Sequence, residues 1–451
     1  MTEICDLPNE LLIHICRLAP RAACRILCRV SHRFNAICRP IIYGEIHVSL
    51  PSATLIQLFR TLSRSKVAAS DVRNLSVKFK PQRGYLYLRS FMEAISRAVT
   101  SIQPYLTGLT FDFEEEAGIV SGLLGCCTFP QLESFILQCP DSYAEDNATT
   151  IYEFVCRHHN LQTLRLPSQR TAATMDISRP VVLPRLTSFS GPKEWLEILA
   201  PSSPLSAIFI DWRDTTPGGN YFQIPVDVSR VSKALRSFAP SAHLFTTFIP
   251  EWDPRLALLL GELVNLTVIS IEVSSLSDDF QPLFMAALEN LALPAFSQLE
   301  VIKVTKSLVA SSPTPPTRVE ELRVVCRWHK ACPTLRGVEL SESRHWVNFR
   351  YKPHEVPLWY SVPRGSMGSD SDIHNNLTWT ILAIVTDQYP ARSDPSRVHE
   401  AACMLRNRVP QWRNRTDVDV VQKELEDITN EVGLETDNDS GSESEDSGLS
   451  G

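Results

Sequence analysis

The sequence predicts an α/β protein in which a small helical unit at the N-terminus precedes an irregular solenoid of strand and helix repeats. Three observations carry this expectation. Apolar residues recur at three-to-four-residue spacing over the first forty positions. A six-residue phrase with apolar first, fourth and sixth places returns nine times between Val72 and Leu340. Helix-like segments and prolines stand between many of these phrases.

In the first segment Leu7, Leu11, Leu12, Ile15 and Leu18 fall on one helical face, with Asp6 as a candidate cap and Pro8 near the first turn. Pro20 breaks this helix. A second follows in which Ala23, Ile26, Leu27, Val30, Phe34 and Ile37 share one face, and Pro40 is expected to end it. Two helices of this length cannot bury both faces against one another, so part of the apolar surface requires the downstream chain or another protein. Arg17, Arg21, Arg25, Arg29 and Arg33 recur every fourth residue, and the last four lie opposite the apolar sector. A solvated face accounts for such a stripe, because exposed charges are worth little individually. It could also steer an acidic partner. Cys24, Cys28 and His32 are spaced by four along a helix; they span about 12 Å and cannot converge on one metal ion.

The repeated phrase is VRNLSV from Val72, LTGLTF from Leu106, LESFIL from Leu132, LQTLRL from Leu161, LSAIFI from Leu205, LTVISI from Leu266, LEVIKV from Leu299, VEELRV from Val319 and LRGVEL from Leu335, with an imperfect copy at Leu186. Pro104, Pro130, Pro184, Pro204 and Pro333 precede phrases, where each would stop a helix and favour an extended strand. Between them, segments such as PRLALLLGELV from Pro254 and FQPLFMAALENLAL from Phe280 read as helices. This alternation resembles the leucine-rich repeat, in which strands stack into a parallel sheet flanked by helices. The starts fall sixteen to sixty-one residues apart. The asparagine or cysteine that usually follows the phrase is mostly replaced, so the expected solenoid is degenerate. An ordinary α/β domain with buried leucines is the alternative. The loop FIDWRDTTPGGNYF from Phe209 offers Trp212, Arg213 and Tyr221 as contact residues, or a buried Trp212 with a structural role.

The order Leu7-Pro8, Glu10-Leu11-Leu12, Ile15, then Leu27, Val30-Ser31, Phe34, Ile37, Pro40 and Tyr43 resembles the F-box, with its LPxELLxxI opening, VSxxF core and terminal P-x-x-Y. The match covers about a tenth of the chain, and the stretch from Arg17 to Cys24 lacks the acidic, leucine-rich turn common in that family. Together with the repeats it is similar to a fungal-type F-box protein with degenerate leucine-rich repeats. The resemblance implies docking on an SKP-type adaptor and, through it, on a cullin of a ubiquitin ligase, with the repeats selecting a protein substrate. Carried over residue by residue, it implies Leu7, Pro8, Leu11, Ile15, Leu27, Val30, Ser31 and Phe34 as adaptor-facing or interface-shaping positions. A scaffold that binds the adaptor without ubiquitin transfer is the alternative function.

The expected organisation is thus an F-box over residues 1–50, a repeat region over 51–345, a cap over 346–434 rich in aromatics and prolines at its start, and an acidic tail over 435–451. That tail cannot form a core and is expected to be disordered. It holds six acids and no Lys or Arg, so the net charge of −7 leaves about −1 for everything before it. Ser440, Ser442 and Ser444 lie among those acids and are phosphorylation candidates. A body so nearly neutral gives no reason to expect nucleic acid as a partner. Acids at positions 3, 6 and 10 argue against a secretory signal, and Glu262 and Asn265 interrupt the most apolar window, so neither export nor a membrane span is expected. The expected location is cytoplasmic and/or nuclear, where the twelve cysteines would be mostly buried free thiols. No phosphate loop, HExxH or GxSxG elbow occurs, and no cofactor or catalytic activity is expected. A hydrolase would require a nucleophile and base clustered by the fold.

Overall fold

A computed structural model describes residues 7–50, 53–79, 89–113, 118–139, 147–167, 181–199, 203–212, 228–249, 251–274, 281–306, 318–341, 344–348 and 359–363, with isolated positions beyond them. The chain divides into two compact units, Met1–Pro250 and Glu251–Gly451. The division falls inside the span expected to form one repeat region.

The first unit opens with three helices, α1 (Asn9–Leu18), α2 (Arg21–Val30) and α3 (His32–Tyr43). It continues with β1 (Glu45–Leu50), α4 (Ala53–Arg64), α5 (Lys66–Asp71), β2 (Asn74–Phe79), α6 (Arg89–Ile102), β3 (Gly108–Phe113), α7 (Gly118–Cys126) and β4 (Ser134–Gln138). Then come α8 (Ala148–Arg157), β5 (Thr163–Arg165), β6 (Ser188–Pro192), α9 (Glu194–Ile198), β7 (Ala207–Asp211), α10 (Val228–Phe238) and β8 (Leu244–Ile249). Each strand from β1 to β7 pairs in parallel with the next in sequence. Such pairing needs a crossover between neighbours, which the intervening segments provide.

The second unit holds α11 (Pro254–Gly261), β9 (Val268–Val273), α12 (Gln281–Ala287), β10 (Val301–Lys306), α13 (Arg318–Ala331), β11 (Gly337–Ser341), β12 (Arg344–Asn348) and β13 (Trp359–Pro363). Here β9, β10 and β11 are parallel, while β12 and β13 continue antiparallel from β11. The protein is therefore mixed α/β with mostly parallel strands. Aspartate at position 253 caps α11, its carboxylate accepting the Arg255 N–H at 2.9 Å.

The phrase's apolar places are the core. Val72, Leu75 and Val77, Leu106, Leu109 and Phe111, Leu132, Phe135 and Leu137, and the corresponding residues of the copies at Leu161, Leu205, Leu266 and Leu299 are all buried. The fourth and sixth places lie two apart on a strand and so share one face. A second regularity comes from the backbone. In several copies the carbonyl at the phrase's second place accepts two N–H groups from the strand segment that follows: Arg73 takes Thr107 and Gly108, Thr107 takes Glu133 and Ser134, Glu133 takes Gln162 and Thr163, and Thr267 takes Glu300 and Val301. The turn into each strand is thereby tied to its neighbour, satisfying polar groups at the edge of the core.

Several expectations are corrected. The phrase VEELRV at Val319 is no strand; it lies in α13, where buried Leu322, Val325 and Trp328 follow helical spacing. Pro40 does not end its helix, which runs on to Tyr43. The predicted second helix is two helices, because Ser31 adopts extended dihedrals between α2 and α3. Residues 45–50, placed with the helical unit, form the first strand of the sheet. The strand β8 escaped the pattern because a threonine, Thr247, occupies its buried sixth place. Asp6, most of the expected cap and the whole of the acidic tail, including Ser440, Ser442 and Ser444, lie outside the described residues.

Candidate functional site

The three N-terminal helices enclose a small core of Leu12, Cys16, Cys24, Phe34, Ile37 and Cys38, with Leu7, Ile13, Leu27 and Ile41 packed against it. Helix α1 starts behind Pro8, whose carbonyl accepts the Leu12 N–H at 3.1 Å. Ser31 starts α3, its hydroxyl accepting the Phe34 N–H at 3.2 Å. The break there turns Phe34 and Ile37 into the core while Ile26 and Val30 remain outside. Replacing Ser31 with Ala removes this cap and should cost about 1 kcal/mol, to be read as a lower denaturation midpoint with an unchanged slope.

The carried-over positions thus separate into two groups. Leu11 is 51% exposed, Ile15 42% and Val30 64%. Pro8 is exposed as well. Phe34 is buried, Leu7 and Leu27 pack on the core, and Ser31 is a cap. Leu18 and Ile26 are more exposed still, at 76% and 66%. The sequence placed both on apolar faces without marking them as site residues. Leu11, Ile15 and Leu18 are spaced four and three apart on α1, and Ile26 and Val30 four apart on α2, so each helix carries an uncovered apolar strip. Burying such a side chain is worth roughly 1 kcal/mol or more.

The arginine stripe is not uniformly solvated. Arg33 donates to the Leu7 carbonyl at 2.5 Å and to Asn9 Oδ1 at 2.8 Å, fastening α3 to the start of α1. Arg21 lies 3.4 Å from Glu45. Arg17, Arg25 and Arg29 are exposed. An ion pair between Arg39 and Asp71 joins α3 to α5.

Cys24, Cys28 and His32 do not meet: Cys24 is buried and donates to the Cys16 carbonyl, while His32 is exposed. The Cys38 thiol instead lies 3.4 Å from the Cys16 sulfur. Burial, then the neighbouring thiols, pushes the Cys38 pKa far up, and burial also raises that of Cys28. These thiols behave as small apolar core groups. Among the described residues, no group of three or more His, Cys, Asp or Glu is placed to hold a metal ion. No helix among them is long and apolar enough to cross a membrane.

A second surface is the sheet face opposite the core. The register of the first unit aligns His47, Ser76, Thr110, Ile136, Arg165, Ser190, Phe209 and Thr246 in one row across eight strands. In the next row Lys78 bonds Asp112 at 2.7 Å. The row from His47 to Thr246 mixes hydroxyls, one exposed arginine, an exposed histidine and two apolar groups. Sequence reasoning offered none of these residues as a contact, because the third and fifth places of the phrase show no common residue type. Trp212, offered as a contact residue, is buried at 4% exposure; its indole N–H donates to Thr247 Oγ1 at 2.6 Å and Lys193 lies over its ring. Arg213 and Tyr221 lie outside the described residues.

His158 is also structural. Its Nε2 accepts the Phe129 N–H at 2.9 Å and its Nδ1–H donates to the Phe154 carbonyl. Burial, opposed by the Phe154 carbonyl and aided by nearby Arg157 and His159, lowers its pKa to about 4.

No protein-family model matches this chain, and no curated protein sequence matches it.

Proposed function

We propose that this protein is the substrate-recognition subunit of an SCF-type cullin-RING ubiquitin ligase. Helices α1–α3 act as the F-box that binds an SKP-type adaptor, and the strand repeats act as a degenerate leucine-rich solenoid that binds a protein substrate. The observation that carries this reading is the sorting of the helical unit's apolar residues. Leu12, Cys16, Phe34 and Ile37 fill a core too small to enclose the rest, while Leu11, Ile15, Leu18, Ile26 and Val30 stay in water. Exposure of this extent on a short three-helix unit is a cost that a bound partner would remove. The repeat reading is supported by strands that pair in chain order within each unit and by the shared carbonyls that tie several phrases to the strand segment that follows. The polar and aromatic row across the opposite sheet face supplies the substrate surface.

The test is co-purification with an SKP-type adaptor. Wild type should be captured, and Leu11→Asp with Val30→Asp should reduce recovery at least tenfold while leaving the thermal midpoint nearly unchanged, because both residues face solvent in the free chain. Equal recovery of the variant would refute adaptor docking through these strips. Capture of the adaptor with the cullin consistently missing would turn the reading toward a scaffold.

A further inference from the structure

Helices α4 and α6 pack against one another in the first unit and leave a recess of about 430 Å³ lined by Ser63, Arg64, Ser96, Arg97, Thr100 and Ser101. Every lining residue carries a hydroxyl or a guanidinium group. Arg64 has no carboxylate partner among the described residues, and Arg97 has Glu93, four residues earlier on the same helix, at 3.5 Å. Both members of that pair are largely exposed, so the pairing is weak and easily exchanged. The recess lies near the C-terminal ends of both helices, each equivalent to about half a negative charge. Two full guanidinium charges outweigh them, and Arg60, one turn before Arg64 on α4, and Lys66, at the start of α5, are close to Arg64 in sequence.

We propose that this recess binds a phosphate monoester carried on a flexible peptide, gripped between Arg64 and Arg97. Guanidinium forks match phosphoryl oxygens in geometry as well as charge. The Ser96 hydroxyl is exposed and bonds no described group, so it can donate directly. The hydroxyls of Ser63, Thr100 and Ser101 now donate to the Arg60, Ser96 and Arg97 carbonyls of their own helices. Those carbonyls have helical bonding of their own, so rotating a hydroxyl toward an anion sacrifices little. Among the described residues, no aromatic ring lines the recess to stack a nucleobase, and no Leu, Ile, Val, Met or Phe lines it to take an acyl chain. A short polar peptide segment fits the remaining open space. Nothing in this site involves α1–α3, so it is independent of adaptor docking.

The test uses the full chain and a glycine- and serine-based pentapeptide bearing one central phosphoserine, titrated at low salt by calorimetry, with inorganic phosphate as competitor. The phosphorylated peptide should bind at least tenfold more tightly than its unphosphorylated form and be displaced by phosphate. Arg64→Ala with Arg97→Ala should weaken it at least tenfold, and Glu93→Gln, which frees Arg97, should strengthen it several-fold. All three positions are exposed, so circular dichroism should show an unchanged fold. Equal binding of both peptide forms would overturn the site, as would retention of affinity by the double variant. An equal loss in a control with Arg17→Ala and Arg29→Ala would overturn it too, by showing attraction to surface charge in general.

Discussion

Phe154→Ala should destabilise the first unit by about 3–5 kcal/mol. Phe154 is wholly buried on α8 at the junction of successive repeats. Its ring centroid lies 4.6 Å from that of Phe135, 6.1 Å from that of Phe129 and 4.1 Å from the His158 ring. Phe129 precedes β4 and Phe135 lies within it, so the cluster locks a helix onto the strand before it. Truncation leaves a cavity among rings fixed by backbone on several sides, which cannot collapse to fill it. Chemical denaturation of the variant should show a far lower midpoint for the first unit. A change below 1 kcal/mol would mean that the cluster is not packed as described.

Acidification should then weaken the same cluster through His158. In the folded chain its pKa is lowered to about 4, against about 6.5 for an unburied imidazole. The unfolded chain therefore binds more protons between these two values, and stability must rise with pH across that window. The contribution is complete above about pH 6.5 and is lost as pH falls toward 4, amounting to roughly 3 kcal/mol by linkage. The structural cause is directional. Phe129 N–H can only donate, so Nε2 must remain an acceptor; a proton there would set two donors face to face in a buried place. Unfolding free energies of wild type and His158→Ala at pH 7 and pH 4.5 test this. The variant should be less stable at pH 7, having left the Phe129 N–H unpaired, and should lose less than wild type on acidification. His329 in the second unit also has its pKa lowered by burial and gives a background of the same sign. Only the difference between the two proteins isolates His158. Parallel pH profiles would refute its role.

These two results bear on function through the surface the repeats hold. If the opposite sheet face binds a substrate, its row from His47 to Thr246 keeps its spacing only while the buried faces of the strands stay stacked. The apolar strips of α1 and α2 are a separate matter. They depend on the small core around Phe34, and Arg33 and Arg39 fasten that core to its own first turn and to α5.

Much of the strand pattern was legible in the sequence because residues two apart on a strand meet the same environment. Leu75 with Val77, Leu109 with Phe111 and Ile269 with Ile271 are apolar for that reason, and each is buried. The same logic failed at Val319. Apolar first and fourth places satisfy a helix as well as a strand, and only the next apolar position separates them. There it is Val325 that is buried, one residue beyond the phrase, and the segment is helical. It failed again at Thr247, where a buried hydroxyl replaces an apolar group and is acceptable only because Trp212 and the Ile210 carbonyl satisfy it.

By itself, then, the sequence determined much of the alternation of strands and helices, the buried face of those strands that carry the phrase and the apolar character of the N-terminal helices, all of which follow from periodicities of two and about 3.6 residues. Tertiary structure alone decided which of those N-terminal residues reach solvent. On one straight helix Ile26, Val30, Phe34 and Ile37 would share a single face. The extended dihedrals of Ser31 redirect the chain, so that Phe34 and Ile37 enter the core and Ile26 and Val30 are left outside. A single residue's backbone angles set that division, and periodicity carries no information about them.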